Sequence, residues 1–269
     1  MKLSIVIPAH NEEGSIGGTT RMLYGRLNAE CIEHEIIVIN DRSTDGTEEV
    51  LRELKAEIPT FWYINNISPN GFGFAVRKGL EHFTGDAVAV YMADASDQPE
   101  DLVHFFEVMQ ERGVDCVFGS RFMKGARIVD YPFLKLIINR LANTFIQFAF
   151  GIRYNDTTNA FKLYRKHVID GVQPLLSHHF NLTVELPLKA LVRGYSYAVL
   201  PNDWINRKTG ESKLKIQEMG SRYLFIVLYC LLEKLLSQGD YAKKDVPDVS
   251  EFIIPEGEGS TIDRKVFLD

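Results

Sequence analysis

Cysteine is scarce in this sequence. Cys31, Cys116 and Cys230 stand far apart, with no Cys-x-x-Cys pair and no histidine cluster nearby. That spacing excludes a disulfide framework and a cysteine-based zinc site, and it suits a reducing compartment. Long apolar runs are missing too. The nearest approach, residues 223–232 (YLFIVLYCLL), stops at Glu233 and Lys234, short of the roughly 18 residues that a spanning helix needs. The opening stretch MKLSIVIPAHNEE lacks the apolar core and small-residue cleavage site of a signal peptide. A cytoplasmic protein is therefore the expectation. Internal repeats and low-complexity tracts are absent as well. After the first strand, a dinucleotide-binding fold would carry Gly-x-Gly-x-x-Gly. Here Glu13-Gly14-Ser15-Ile16-Gly17-Gly18 stands instead, which argues against a nicotinamide enzyme.

What is present is ordinary for a globular chain: 269 residues, 45% hydrophobic and 25% charged. That length suffices for a full core in one large α/β domain or two small ones. The net charge of −6 is unevenly spread. Residues 240–269 hold eight acids against four bases, a local −4, so residues 1–239 carry only −2. Within them, residues 121–166 hold nine bases against two acids (Asp130 and Asp156), a local +7. The overall sign is thus a poor guide to partners, and the basic block is read separately.

Short β-branched runs at 3–8, 35–40, 61–64, 87–92 and 115–118 alternate with helical spacing at 12–29, 47–56, 74–83 and 99–112. Alternation with near-continuous apolar strands predicts a mostly parallel sheet covered on both faces. Such sheets bind ligands at the carboxyl ends of their strands. Polar residues stand at four of those ends: Ala9-His10-Asn11, Asp41-Arg42-Ser43, Asp94-Ala95-Ser96-Asp97 and Gly119-Ser120-Arg121.

Residues 133–150 form a strongly apolar helix whose polar Lys135, Asn139, Asn143 and Gln147 recur every fourth position. It is either packed in the core or lying in a membrane interface. Residues 214–239 predict a second apolar helix. The acidic segment 240–269 reads as a loosely ordered tail whose removal is expected to leave catalysis intact.

Each motif has a plain structural reading beside a chemical one. Asn11 serves as a helix cap, or its turn forms a wall of a nucleotide pocket. Asp45-Gly46-Thr47 is explained by a turn and cap, whereas Asp41, at a strand end, suits acceptance from a base or ribose. Asn70-Gly71-Phe72-Gly73 is a close-approach loop or simple turn punctuation. Asp94 and Asp97 suit a hard cation bound with a diphosphate. A cap ahead of Pro99 explains Asp97 but not Asp94.

Taken in order, IVIPAHNEE, INDRSTDGT, NGFGFAVRKGL, ADASDQPED, FGSRF, NDTTNAFKLYRK and NRKTGESK resemble family 2 glycosyltransferases of GT-A fold, in the dolichol- or polyprenol-phosphate mannosyltransferase-like branch. The resemblance spans residues 3–213. It implies a Rossmann-like domain over 1–213, with 214–239 as a C-terminal amphipathic helix and 240–269 as the tail. It implies nucleotide-sugar contacts at Pro8, Ala9, Asn11, Glu12, Asp41, Gly71, Ala93 and Asp94. The expected catalytic set is Asp94, Arg121, Asp156, Glu185, Arg207 and Lys213. Arg121 and Lys124 are the expected contacts to an acceptor phosphate. Thr157 and Asn159 belong with Asp156 to the family's sugar-site motif, although Asn159-Ala160 replaces Ser-Gly. A magnesium or manganese ion would rest on Asp94 and Asp97. Met92 stands where the family's metal motif has its first aspartate, and a thioether is a poor ligand for a hard cation.

The implied reaction is inverting transfer of a hexose from a nucleotide diphosphate sugar, of GDP-mannose or UDP-glucose type, to a polyprenyl phosphate. A saccharide hydroxyl is the alternative acceptor, and a non-catalytic nucleotide-sugar-binding homologue the alternative role. The expected partners are the sugar donor and the lipid phosphate, with peripheral contact at the cytoplasmic face of a membrane and no nucleic acid.

Overall fold

The computed structural model describes residues 1–205, 216–243 and 267–268. Its first half alternates strand and helix: β1 (Leu3–Ala9), α1 (Ile16–Ala29), β2 (His34–Asn40), α2 (Thr47–Glu57), β3 (Phe61–Asn65), α3 (Phe72–His82), β4 (Ala87–Val90), α4 (Pro99–Arg112) and β5 (Cys116–Ser120). Then follow β6 (Ile128–Val129), α5 (Phe133–Phe150), β7 (Lys162–Arg165), α6 (Lys166–Gly171), α7 (Leu182–Val192), β8 (Tyr197–Pro201), β9 (Trp204–Ile205), α8 (Ile216–Leu236) and β10 (Phe267–Leu268).

The main sheet runs β3-β2-β1-β4-β7-β5-β8-β10. β1 pairs in parallel with β2 and β4, with Ile5 opposite both Ile36 and Ala89. Two strands run against the rest: β7, antiparallel between β4 and β5, and β10, antiparallel to β8. A separate parallel pair, β6 and β9, lies apart from the main sheet.

Side chains along a strand alternate between faces, and both faces here are covered. Leu3, Ile5 and Ile7 of β1 join Leu23 of α1, Leu51 and Leu54 of α2, and Phe105 and Met109 of α4. Val6 points the other way, into a second core with Val76 and Leu80 of α3 and Leu182 and Leu186 of α7. A third cluster joins Ile146 and Phe150 of α5 to Val184 and Leu188 of α7 and Ile226, Val227 and Cys230 of α8.

Local chemistry sets the element ends. Pro99 opens α4 with Glu100 and Asp101 in its first turn, and Gly113, at φ 68°, closes it. Gly151, at φ 63°, ends α5 in the same way. The first turn of α3 lies against the 177–179 backbone. A Cβ on Gly73 would stand 2.5 Å from the His178 carbonyl carbon, so only glycine permits that approach.

The predicted alternation is observed, with shifted boundaries. α1 starts at Ile16 rather than residue 12, because Asn11 adopts a left-handed φ of 54° and residues 12–15 form a turn first. β4 ends at Val90, leaving Tyr91 and Met92 beyond the strand. β7, α7 and β8 had no counterpart in the sequence reading. The C-terminal helix packs against α7, where Arg193 Nε and Glu233 Oε1 pair at 2.7 Å in a buried setting. The tail is only partly within the described residues, and those parts are tied down. Lys243 reaches Asp115 at 3.0 Å, and Phe267–Leu268 extends the sheet beside β8.

Candidate functional site

At the carboxyl edge of the sheet, three strand ends turn sharply through left-handed non-glycine residues: Asn11 after β1 (φ 54°), Arg42 after β2 (φ 57°) and Ala95 beyond β4 (φ 56°). Such conformations cost energy and cluster where a site dictates the backbone. Asn11 Oδ1 accepts from the Thr44 amide at 2.8 Å, and Thr47 Oγ1 accepts from the Glu12 amide at 2.9 Å, locking the first two turns together. Asp41 is buried, its Oδ1 accepting from Asn66 Nδ2 at 2.8 Å and its Oδ2 from the Gly71 amide at 2.7 Å. A close-approach glycine and a strand-end acid thus form one unit. His10 Nδ1 lies 2.8 Å from the Asp41 carbonyl oxygen.

These turns floor a cavity of about 780 Å³. Pro8, Ala9, Glu12, Asp41, Gly71, Asp94, Asp97 and Arg121, all singled out in the sequence, line it. Asn11, Ala93, Lys124, Asp156 and Glu185 do not. Asn11 acts behind the wall, through the loop it holds. Ala93 is buried, its carbonyl accepting from Thr19 Oγ1 at 2.9 Å. Arg207 and Lys213 lie outside the described residues.

Two corrections follow from burial and charge. Glu185 is fully buried. Its oxygens accept from the Leu176 and Ser177 amides at 2.7 Å each, and Lys189 Nζ lies 2.8 Å away. It anchors the segment before α7 and is not an acid of the cavity. Lys124 is exposed away from the lining, whereas Lys135, on the inward stripe of α5, lies in it.

Arg121 and Asp156 form a buried bidentate pair. Arg121 Nε donates to Asp156 Oδ2 at 2.8 Å and Nη2 to Oδ1 at 2.7 Å, while the Arg121 amide donates to Oδ2 at 3.0 Å. Burial works against the guanidinium charge, but the facing carboxylate outweighs it and raises the Arg121 pKa. Asp156 is therefore the partner that aims Arg121, not a free base. The rings of Phe122 and Tyr131 flank the guanidinium at 5.5 and 5.6 Å.

Asp97 is 2% exposed, and its Oδ2 has no hydrogen-bond partner. Burial, then the nearby Asp94 charge, pushes its pKa up to about 8. A divalent cation bound with a diphosphate takes one or two carboxylates plus phosphate oxygens. Asp94 and Asp97 fit that role, and such an ion would relieve both the orphaned oxygen and the repulsion. No group of three or more His, Cys, Asp or Glu side chains able to hold a metal occurs among the described residues. The fit is thus to an ion completed by substrate phosphates.

The far half of the cavity is apolar. Ile138, Ala142, Phe145 and Ile146 of α5 line it with Tyr223, Leu224 and Val227 of α8. Sequence reasoning missed Lys135, Tyr131, Asn139, His179, Trp204 and the α8 residues as lining groups. Only the four-residue polar spacing of α5 signalled any of them.

The profile described as Glycosyl transferase family 2 matches residues 4–172. Among curated proteins, the chain is 28% identical over 216 residues to a polyprenol monophosphomannose synthase of Mycolicibacterium smegmatis, covering 78% of this chain and 80% of that protein. It is 31% identical over 220 residues to a dolichol-phosphate mannosyltransferase of Pyrococcus furiosus, covering 80% of this chain and 60% of that longer protein. Among solved structures, glucosyl-3-phosphoglycerate synthase from Mycobacterium tuberculosis, in complex with Mn2+, UDP and phosphoglyceric acid, aligns with a TM-score of 0.62 at 17% identity. The alignment covers 87% of this chain and 78% of that one, a likeness of fold.

Proposed function

The chain belongs to glycosyl transferase family 2, in its dolichol- and polyprenol-phosphate mannosyltransferase-like branch, and from that premise we propose that this GT-A glycosyltransferase moves a hexose from a nucleotide diphosphate sugar to a polyprenyl or dolichyl phosphate. One observation carries the reading. One cavity is lined both by the polar strand-end residues and by apolar side chains of α5 and α8. A polar donor and an acceptor with an anionic head and a greasy tail suit its two halves.

The proposed chemistry is a single displacement at the anomeric carbon. An acceptor phosphate oxygen forms the new bond as the bond from that carbon to the nucleoside diphosphate breaks. A lipid phosphate is already anionic and needs no base. It needs cations to place it, and Arg121 and Lys135 are the candidates. Asp156 keeps Arg121 charged and aimed. Asp41 with Gly71, and the Pro8–Glu12 turn, are the proposed nucleotide seat. Arg207 and Lys213 are retained as proposed partners of the departing diphosphate. When bound, a magnesium or manganese ion would neutralise that diphosphate, and Asp94 and Asp97 are the residues that would hold it. The manganese in the similarly folded synthase supports a divalent ion, while Asp94 and Asp97 as its holders rest on the chemistry of this site. A saccharide hydroxyl would need a base to take its proton. Asp156, committed to Arg121, and Glu185, committed to Lys189, are poorly suited to that task.

No helix among the described residues is long and apolar enough to cross a membrane. Peripheral contact is supported instead by the exposed apolar face of α5, with Phe133 75%, Leu141 67% and Phe148 89% exposed. The test is incubation with labelled GDP-mannose or UDP-glucose and a polyprenyl phosphate. Label moving into the organic phase supports the proposal, and label confined to water-soluble glycan would sink it.

A further inference from the structure

Helix α5 exposes large apolar side chains to solvent, and its Asn139 and Asn143 turn toward the protein beside Ile146 and Phe150. Of its eighteen residues only Asn143, Ile146 and Phe150 are buried. Its link to the 156–159 segment is a chain of hydrogen bonds. Asn139 Nδ2 donates to Thr158 Oγ1 at 2.8 Å, Asn143 Nδ2 to Asn139 Oδ1 at 2.7 Å, and Thr157 Oγ1 to Asn143 Oδ1 at 2.6 Å. Thr158 Oγ1 in turn donates to Asp156 Oδ1 at 3.4 Å, and Asp156 grips Arg121. From the other side, buried Lys162 donates to the Thr157, Asn159 and Thr183 carbonyls. The segment that aims Arg121 is thus held from the sheet side by Lys162 and by Asn159, whose Nδ2 donates to the Gly119 carbonyl at 3.0 Å and to Asn202 Oδ1 at 2.9 Å. From the α5 side it is held by side chains that ride on that helix.

The outer face of α5 has one fitting occupant, a lipid surface. Helix α8, whose Leu224 and Val227 line the cavity with residues of α5, likewise exposes apolar Phe225 (60%) and Leu228 (45%). Helix α5 carries Lys135 and Arg140 and no acid, and the exposed Lys124 and Arg153 flank it in sequence, a charge that complements anionic headgroups. We propose that Asn139, Asn143, Thr157 and Thr158 are positioning residues. Covering α5 with an anionic bilayer fixes the helix, and through these side chains and Asp156 it fixes Arg121 in the cavity. What Arg121 then contacts rests on the function proposed above; the coupling does not.

The test uses the full chain, anionic phospholipid vesicles free of polyprenol, and a water-soluble short-chain prenyl phosphate as acceptor. Vesicles are expected to raise kcat/KM at least about fivefold, the low end of measured coupling between sites. Thr158→Val keeps the shape but loses the hydroxyl that accepts from Asn139 and donates to Asp156, and it should lose the stimulation while sedimenting with vesicles like the wild type. Thr158→Ser should retain it. Hydrogen exchange of the 156–159 amides, measured without substrates, should slow on vesicle addition in the wild type and Thr158→Ser, but not in Thr158→Val. Equal stimulation in Thr158→Val overturns the proposal. So does unchanged exchange in the wild type. Protection of α5 that tracks protein concentration without vesicles overturns it too, since the occupant is then a second copy. Slowed exchange without product from any acceptor refutes the assigned function and upholds the coupling.

Discussion

Replacing Phe133, Leu134, Leu141 and Phe148 together by serine should detach the protein from membranes while leaving its fold unchanged. These side chains are 75%, 67%, 67% and 89% exposed, so they contribute little to the core, and each change should alter stability by no more than about 0.5 kcal/mol. Fully burying such a side chain is worth about 1.5–3 kcal/mol. An interface covers only part of it, so about 1 kcal/mol per residue is a fair working value. Four residues then give about 4 kcal/mol, or close to a thousandfold in partitioning at about 1.4 kcal/mol per tenfold. Co-sedimentation with anionic phospholipid vesicles reads this directly, with thermal unfolding as the control for folding. If the substituted chain sediments like the wild type with an unchanged Tm, α5 is not the membrane-facing surface.

Other residues are equally open to test. Lys135→Ala should raise the KM for acceptor phosphate by about 10–100-fold, the worth of a hydrogen bond to a charged group, whereas Lys124→Ala should leave it unchanged. Asp156→Asn strips the charged partner from a buried guanidinium and should cost about 3–5 kcal/mol in urea unfolding. Gly73→Ala pushes a methyl into the His178 backbone and should cost about 1–3 kcal/mol. Burial pushes the Glu35 carboxyl up, but hydrogen bonds from Ser4 and Thr84, with the Lys2 charge, outweigh it and hold its pKa below the ordinary 4.5. A depressed folded pKa means stability present above 4.5 and lost as pH falls through the folded value. Glu35→Gln should therefore flatten the acid side of the stability profile.

The sequence was most legible where local pattern and global fold agree. The alternating strands β1 to β5 and the helices between them follow from β-branched runs and amphipathic spacing, and Pro99 marks the start of α4 to the residue. β7 escaped because its four residues, Lys-Leu-Tyr-Arg, look polar, and only Lys162's burial against backbone carbonyls explains their place in the sheet. Asp41, Gly71, Asp94 and Asp97 were readable as strand-end chemistry. Glu185 misled because its motif position said nothing of the Leu176 and Ser177 amides that occupy it. For α5 the periodicity was correct and its direction undetermined. The polar stripe faces inward, toward Thr157 and Thr158, and that choice is made by tertiary hydrogen bonds between residues 19 and 14 positions apart.

In the proposed reaction a sugar leaves a nucleotide diphosphate for an anionic lipid phosphate in the cavity lined by Arg121. The most direct measurement follows labelled sugar from GDP-mannose or UDP-glucose into organic extract with polyprenyl phosphate present, comparing the wild type with Arg121→Ala. Lipid-linked label is expected in the wild type and its loss in the variant. Label that appears only in water-soluble glycan, or lipid-linked label undiminished in Arg121→Ala, would contradict it.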